Sequence, residues 1–289
     1  MYKIIVLAKQ VPDTRAVGKD AMKADGTVNR AALPAIFNPE DLNALEMALS
    51  VKDKYPNSTV TVLTMGPMRA AEILRESLYR GADAGILLTD KAFAGSDTLA
   101  TSYALACTIK KIGKFDIIFG GRQAIDGDTA QVGPQVAEKL GIPQVTYAEK
   151  IVDLNGKTIQ VLRRLERGVE TVEAQMPLVV TVNGTAPECR PRNAKRIMKY
   201  KKASTISELS NASDDYIALR NDKPYLSITE WGAINVDPDI SQLGLKGSPT
   251  KVKQIQNIVF QAKDSKTLTN DDEQIEDLIK ELIDNHTLG

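Results

Sequence analysis

The residues between Gly120 and Gln131 (GGRQAIDGDTAQ) have the composition best suited to hold a ligand. Three glycines free the backbone for close approach, and the helix expected to follow offers unpaired N–H groups and a positive dipole end, which suit a phosphate. Arg122 adds a planar cation with several hydrogen-bond donors. Gln123 and Gln131 can bond the neutral edge of a ring or an amide. The segment therefore predicts a nucleotide-binding turn.

Two acids in this segment narrow that prediction. Asp126 and Asp128 would repel a phosphate at contact distance, so they are expected to accept from ribose hydroxyls or to cap the following helix. A Mg²⁺ site is a weaker alternative, because no third carboxylate follows at ligand spacing. The two commonest phosphate fingerprints, G-x-x-x-x-G-K-[ST] and G-x-G-x-x-G, are absent. A glycine-rich turn that binds no ligand remains the other interpretation.

A basic segment, residues 190–202 (RPRNAKRIMKYKK), is the second unusual feature. Nucleic-acid binding is disfavoured, because only Tyr200 is available to stack on bases and the net charge of the chain is zero. A solvated basic face and a docking segment for an acidic protein partner remain, the latter with Ile197 and Met198 as apolar anchors. The cations of the segment are Arg190, Arg192, Lys195, Arg196, Lys199, Lys201 and Lys202.

The composition disfavours several kinds of catalytic site. The 289 residues include 37 basic and 37 acidic side chains, two cysteines and one histidine, His286. Histidine-rich metal sites, Ser-His or Cys-His catalysis and a disulfide framework are therefore not expected. The apolar run Ile4–Ala8 is too short for a signal peptide or a membrane span, which predicts a cytoplasmic protein. Any chemistry is expected to come from a bound cofactor.

Strands and helices alternate in the first half of the chain. Apolar runs predict strands at Lys3–Ala8, Thr59–Met65, Gly85–Thr89 and Phe115–Phe119. Helices are predicted after a capping Asn38, from about Met68 to Arg80, from Ser96 or Asp97 to Ile112, and from about Asp128 to Leu140. Four alternations imply an open, mostly parallel, doubly wound α/β sheet with helices on both faces. Residues 13–37 are predicted to leave this pattern with one or two hairpin turns.

An antiparallel ribbon is predicted after residue 145, appended to the sheet or inserted in it. Asn155-Gly156 is a type I′ turn signal between the strands Ile151–Leu154 and Thr158–Leu162. A further strand pair, Val169–Ala174 and Leu178–Val182, flanks Pro177.

The last third of the chain is predicted to be an extended arm, because residues 203–270 are polar and show little periodicity. A terminal amphipathic helix follows, whose apolar stripe consists of Ile275, Leu278, Ile279, Leu282 and Ile283. We therefore divide the chain into a nucleotide-binding domain with its antiparallel extension, residues 1–205, and a C-terminal arm, residues 206–289. The stripe is expected to fold back on its own domain or to clasp a partner subunit.

Three stretches resemble the beta subunits of electron-transfer flavoproteins, over roughly residues 1–205. One is the loop 121–131, and another is Val161–Val182 (VLRRLERGVETVEAQMPLVVTV), which resembles the signature of the family. The third is residues 190–202, where the family has a basic recognition loop ending in Ile-Met-Lys, as in Ile197-Met198-Lys199. Beyond residue 205 the chain matches only in having a tail, which in this family wraps the alpha subunit.

The resemblance implies a heterodimer with an alpha subunit that holds one FAD, and a nucleotide in this chain. In simple carriers that nucleotide is a structural AMP, and in the electron-bifurcating branch it is a second FAD. The resemblance places the cofactor-binding residues at Leu7, Ala8, Lys9, Asn38, Pro39, Glu40, Asp41, Met65, Gly66, Ser96, Asp97, Thr98, Thr101, Gly121, Arg122, Gln123, Ala124, Ile125, Asp126, Gly127, Asp128, Thr129, Ala130, Gln131 and Val132.

Lys9–Thr14 and Ala94–Ser102 resemble the bifurcating members. The resemblance then implies that Lys9 and the Ser96–Thr101 turn contact the second flavin or approach NADH, with the helix after Asp97 presenting amides to an anion. NADH would reduce the FAD of this chain. One electron would pass to the alpha-subunit FAD and on to a dehydrogenase, and the other to ferredoxin or flavodoxin. No residue is expected to act as acid, base or nucleophile.

The resemblance also implies that the basic segment docks the dehydrogenase, through Arg190, Arg192, Ala194, Lys195, Arg196, Ile197 and Met198. The partner expected in this family is of the acyl-CoA dehydrogenase type. Ala194 stands where simple carriers have a larger apolar anchor, which weakens that expectation and leaves another flavin dehydrogenase as the alternative partner. The alternatives are a non-bifurcating beta subunit with AMP, a stand-alone adenine-nucleotide-binding module, and a scaffold that binds no nucleotide. Neither a nucleic-acid partner nor a membrane span is expected.

Overall fold

The computed structural model describes residues 1–13, 34–210 and 214–250, and near the C-terminus residues 265, 267–269, 271–285 and 287–288. The predicted hairpin turns of residues 13–37 fall largely on residues 14–33 and so lie outside the described residues, as does His286. The described strands are β1 (Lys3–Leu7), β2 (Gln10–Pro12), β3 (Ala35–Phe37), β4 (Thr59–Met65), β5 (Ala84–Leu88), β6 (Ile117–Gly121), β7 (Gln144–Asn155), β8 (Thr158–Leu165), β9 (Gly168–Gln175), β10 (Leu178–Val182) and β11 (Thr229–Trp231).

The main sheet has nine strands in the order β11-β5-β4-β1-β6-β10-β7-β8-β9. Its first seven strands are parallel, and β8 and β9 add an antiparallel ribbon at one edge. The separate pair β2–β3 is antiparallel. The chain runs outward from β1 through β4 to β5 and then returns to β6 on the other side of β1. The strand order therefore reverses between β1 and β6, where open α/β sheets bind their ligands.

Helices cover both faces of this sheet, as predicted. The described helices are α1 (Pro39–Lys54), α2 (Ala71–Arg80), α3 (Thr98–Ile112), α4 (Val132–Leu140), α5 (Ala194–Tyr200), α6 (Ile206–Leu209), α7 (Asp214–Asp222), α8 (Ala233–Val236) and α9 (Asp272–Asp284). In β1, Ile4 and Val6 pack with α1 and α2, whereas Ile5 and Leu7 pack with α3 and α4. A strand buried on both faces needs a continuous apolar run, which explains the sequence of β1. The doubly wound α/β fold is confirmed.

The segment Leu178–Val182 was expected in the antiparallel ribbon, and that prediction is wrong. It forms β10, which lies between β6 and β7 and is parallel to both. All five of its residues are buried, so side chains on both faces of the strand pack against other elements. This burial is typical of an interior strand of a parallel sheet. The ribbon consists of β7, β8 and β9, with the predicted turn at Asn155-Gly156 between the first two strands.

Helix α4 begins at Val132, four residues after the predicted start at Asp128. Asp128 and Ala130 have φ values of 48° and 52°, in the left-handed region that a right-handed helix cannot include. Asp128 therefore does not cap α4, and no side chain caps its first residue. The loop after β6 is longer than predicted by one helical turn.

Part of the chain after residue 205 lies in the sheet. Strand β11 pairs with β5 at the edge, and Leu226, Ile228, Val236 and Leu243 are buried. That the arm packs on a partner subunit remains a prediction. In α9, Ile275, Ile279 and Ile283 of the predicted stripe are exposed, by 39%, 45% and 51%.

Candidate functional site

The first turn of α1 holds the loop that follows β6. The Asn38 amide donates to the carbonyl of Gln123 (2.8 Å) and accepts from the amide of Ile125 (3.1 Å). Glu40 accepts from the amide of Gln123 (2.9 Å) and from Nη2 of Arg122 (3.0 Å). Asn38 is at the predicted cap position but makes no side-chain capping bond to α1. Its amide group instead fixes a loop about 85 residues away.

Asp41 joins the ends of the two strands at the switch point. Its carboxylate accepts from the amide of Lys9, after β1 (2.8 Å), and from the amide of Gly121, in β6 (3.0 Å). Burial raises the pKa of Asp41 to about 7, against the opposing effect of hydrogen bonds from Asn38, Lys9 and Gly121 and of the Lys9 charge. Asp41 therefore lies at the candidate site, and both of its carboxylate oxygens accept main-chain amides of the protein itself.

Gly121 is required by this close approach. A Cβ atom at this position would clash with Oδ1 of Asp41 and would lie 2.8 Å from the main-chain nitrogen of Asp41. Gly133, in the first turn of α4, is similarly restricted, because its Cβ would lie 2.5 Å from Cγ2 of Thr181. By contrast, a Cβ on Gly127 would meet nothing within 4 Å. Close packing therefore requires glycine at positions 121 and 133 but not at position 127.

The polar side chains of the loop are bonded to one another and to the end of β1. Lys9 Nζ forms an ion pair with Asp126 (2.7 Å), and Gln123 Nε2 donates to Asp128 (2.9 Å). Each of the two acids has its own donor, so the Mg²⁺ alternative receives no support. In the described part of the chain, no group of three His, Cys, Asp or Glu residues is placed to hold a metal.

The arrangement fits a nucleotide. Gly121 at the end of β6 leaves room for a close approach, and α4 begins without a side-chain cap. Between them the loop passes through two residues in the left-handed conformation, Asp128 and Ala130. These features lie at the carboxyl ends of β1 and β6. Leu7 and Ala8 are buried below them, and Met65 ends the neighbouring strand β4 half-buried. Carboxylate, amide and main-chain groups of this kind bind sugar hydroxyls, rings and phosphates.

The first residue of α3 is hydrogen-bonded to the same loop. Thr98 Oγ1 donates to Gln131 Oε1 (2.9 Å), so these two predicted residues are brought together. Asp97 caps α3 as predicted, accepting from the amides of Leu99 (2.9 Å) and Ala100 (3.0 Å). The Asp97 carboxylate therefore occupies these two amides, and that the start of α3 faces a bound anion remains a prediction.

The sequence did not predict the contacts of Asp97 with residues 248–250. Asp97 also accepts from the amide and hydroxyl of Thr250, at 3.1 Å and 2.7 Å, and its own amide donates to Ser248 (2.9 Å). Burial acts to raise the pKa of Asp97, but hydrogen bonds from Ala100, Thr250 and Leu99 together hold it below its ordinary value. No local pattern indicates a contact across about 150 residues.

The basic segment is anchored at its start and exposed in its helix. Arg190 pairs with Glu46 (2.7 Å) and Asp53 (2.7 Å), so it fixes the segment to α1. In α5, Met198 is 65% exposed, whereas Tyr200 is buried. Whether α5 docks a partner remains a prediction, and Met198 is the apolar side chain it offers.

Across the described ranges, the helices are too short or too polar to cross a membrane.

Residues 25–210 match the family described as "Electron transfer flavoprotein domain". The chain is 47% identical over 251 residues to the electron transfer flavoprotein subunit beta of Clostridium acetobutylicum, covering 87% of this chain and 86% of that protein.

Two further relatives are subunits of reductase systems. The acryloyl-CoA reductase electron transfer subunit gamma of Anaerotignum propionicum is 41% identical over 290 residues, which cover 99% of this chain and 100% of the relative. Subunit CarD of the caffeyl-CoA reductase-Etf complex of Acetobacterium woodii is 52% identical over 179 residues, 62% of this chain and 67% of the relative. With the matched domain spanning well over half of its length, the chain belongs to the family of electron transfer flavoprotein beta subunits.

Proposed function

We propose that this chain is the nucleotide-binding beta subunit of a heterodimeric, electron-bifurcating electron transfer flavoprotein. The observation that carries the proposal is the loop 121–131, fixed at the switch point of the sheet by Asn38, Glu40 and Asp41. FAD is the proposed ligand, and a structural AMP in a non-bifurcating subunit is the alternative. The partner in the heterodimer is the alpha subunit with its own FAD.

The residues of the chain would bind and orient the cofactor. The main chain of the loop and the start of α4 suit phosphates, because exposed amides and a positive helix end favour anions. Lys9, paired with Asp126, would close one side of the site. Thr98, bonded to Gln131, would contact the part of FAD that AMP lacks, because its turn carries the residues that resemble the bifurcating members.

When bound, the flavin supplies hydride acceptance from NADH and the division of the electron pair between the alpha-subunit FAD and ferredoxin or flavodoxin. The side chains around the loop need no acid, base or nucleophile for this task. They set the position of the ring and the polarity around it. The likeness to acryloyl-CoA and caffeyl-CoA reductase subunits supports a flavin dehydrogenase or reductase as the high-potential partner.

The stoichiometry of bound nucleotides tests this proposal. The chain is co-expressed with its alpha subunit, the purified heterodimer is denatured, and FAD and AMP in the supernatant are quantified by chromatography. Two FAD and no AMP per heterodimer is the expected result. One FAD with one AMP would refute bifurcation and leave a simple electron carrier.

A functional assay separates the branches a second time. NADH should reduce ferredoxin only while the high-potential dehydrogenase and its oxidised substrate are also present, because the two electron transfers are coupled. Ferredoxin reduction by NADH alone would contradict coupled bifurcation.

A further inference from the structure

Helix α2 carries a charged contact to the chain beyond α5 that the proposed function does not use. The side chain of Arg75 is 16% exposed. Its Nη1 atom donates to the carbonyl of Ala203 (3.3 Å) and to both carboxylate oxygens of Glu208 (3.0 and 3.1 Å). Its Nη2 atom donates to Glu72 (2.8 Å), which lies on α2 itself. One guanidinium therefore joins α2 to the segment that follows α5.

Glu208 also fixes the start of α6. Its carboxylate accepts from the amide of Thr205 (2.9 Å), and its own amide donates to the hydroxyl of Thr205 (3.3 Å), which makes a capping box. Ala203 and Thr205 are both buried. The carboxylate that pairs with Arg75 therefore also fixes the path of the chain between α5 and α6.

Helix α2 holds α5 at both ends. The main-chain amide of Asn193, the cap of α5, donates to the carbonyl of Tyr79 on α2 (3.0 Å). At the other end, the amide of Ala203 donates to the carbonyl of Tyr200 (2.8 Å), so the carbonyl that Arg75 binds lies directly after the last turn of α5. A helix of seven residues has little stability by itself, so the order of α5 depends on these attachments.

The outer side of α5 is exposed and includes one cation in a fixed position. Lys195 and Met198 are exposed. The ammonium of Lys199 lies 4.8 Å from the ring centres of both Tyr200 and Tyr225, a favourable cation–π arrangement. The two rings meet edge to face at 5.8 Å. The attachments therefore hold α5 with an apolar side chain and two cations on its exposed side.

From this geometry we propose that Arg75, acting through Ala203 and Glu208, is a positioning residue for the docking of the flavin dehydrogenase on α5. The partner surface that fits is acidic, with an apolar spot for Met198. A helix that is ordered before contact loses less conformational entropy on docking. Loss of the Arg75 contacts should therefore weaken docking and leave electron transfer within the docked complex unchanged. The inference rests on the proposed function in one respect, because the dehydrogenase is the high-potential partner named there.

Three single variants of the purified heterodimer test the contact. Arg75→Met removes the donors and keeps a long side chain, and Glu208→Gln removes the charge that Arg75 binds. Glu72→Gln is the matched control, because Glu72 binds the same guanidinium from within α2. In Glu208→Gln, α6 stays attached through the amide of Ser207, which donates to Glu230 (3.0 Å), so this variant should fold.

The kinetic measurement is electron transfer between the heterodimer and an acyl-CoA dehydrogenase supplied with its acyl-CoA substrate. Arg75→Met and Glu208→Gln should raise the KM for the heterodimer at least fivefold and leave kcat within twofold. Glu72→Gln should leave both within twofold. An unchanged KM in the first two variants overturns the proposal, as does a fall in kcat alone. The FAD count per heterodimer, which tests the proposed function, is read independently in the same samples.

Hydrogen exchange of the heterodimer alone tests the positioning without a partner. The amides of residues 194–203 should exchange at least tenfold faster in Arg75→Met and Glu208→Gln than in the wild type, and at the wild-type rate in Glu72→Gln. Equal exchange in all four proteins would show that Arg75 does not order α5, and the proposal would then be wrong even where the FAD count supports the proposed function.

Discussion

Replacing Asp41 by asparagine should change how the stability of the chain depends on pH. Asp41 is buried between α1 and the ends of β1 and β6, and burial raises its pKa from 3.8 to about 7. The folded chain therefore keeps a proton on this group between about pH 4 and pH 7, where the unfolded chain has released it. Asparagine has nearly the same shape and no proton to lose.

The sign and size follow from this difference in bound protons. Where the folded state binds more protons, the free energy of unfolding falls as pH rises. The loss begins near pH 4 and is complete above pH 7. A difference of about three pH units, at about 1.4 kcal/mol for each, makes the total effect of Asp41 roughly 4 kcal/mol. Asp41→Asn removes this slope.

Urea denaturation at intervals from pH 4.5 to pH 8 measures the effect. The asparagine variant leaves either the Lys9 or the Gly121 amide without an oxygen acceptor, which costs about 1–3 kcal/mol at every pH and shifts the curve without tilting it. Asp153→Asn, an exposed carboxylate on β7, is the control. A wild-type minus variant difference that stays constant over this range would refute the reasoning.

Three further substitutions test separate contacts. Gly121→Ala should destabilise the chain by about 1–3 kcal/mol and release the bound nucleotide, whereas Gly127→Ala, in open space, should do neither; thermal unfolding and nucleotide content measure both. Glu46→Gln should cost about 1–3 kcal/mol at pH 7 and progressively less as pH falls below 4.5. Partial burial raises the pKa of Glu46, but the hydrogen bonds and the charge of Arg190 together hold it below its ordinary value; an equal cost at pH 3 would contradict this. Met198→Glu should leave the unfolding temperature unchanged and slow electron transfer to the dehydrogenase at least tenfold, as followed by stopped-flow; an unchanged rate would remove α5 from the docking surface.

The sheet was predictable where a single strand carries its own signal. Strand β4, Thr59–Met65, was predicted with the bounds that the structure shows, because a β-branched run that ends at Gly-Pro is typical of a buried strand. Leu178–Val182 was correctly identified as a strand and wrongly placed, because its partners β6 and β7 are distant in sequence. A local pattern predicts that a strand exists. Its position in the sheet depends on whether one or both of its faces must be buried against other elements.

For the candidate site, the sequence predicted which segments meet better than it predicted what their side chains do. The loop after β6 and the α1 start were both expected at the site, and the structure brings them together. That Asn38 would bond the loop instead of capping its helix has no local signal. Asp128 looked like a cap because its type and position fit one, but the loop winds through left-handed residues before α4 begins.

The hydrogen bonds around the loop also bear on how the proposed nucleotide would be recognised there. Asn38, Glu40 and Asp41 each bond loop or strand main chain, and Asp126 and Asp128 each have a side-chain donor. With these five side chains already bonded, the proposed nucleotide would be recognised largely by main-chain amides and by shape. Main-chain recognition is insensitive to the side chains it passes, so this loop would accept either AMP or FAD. The choice between them would then depend on residues outside the loop, and Thr98 is a candidate because it bonds Gln131 at the end of the loop.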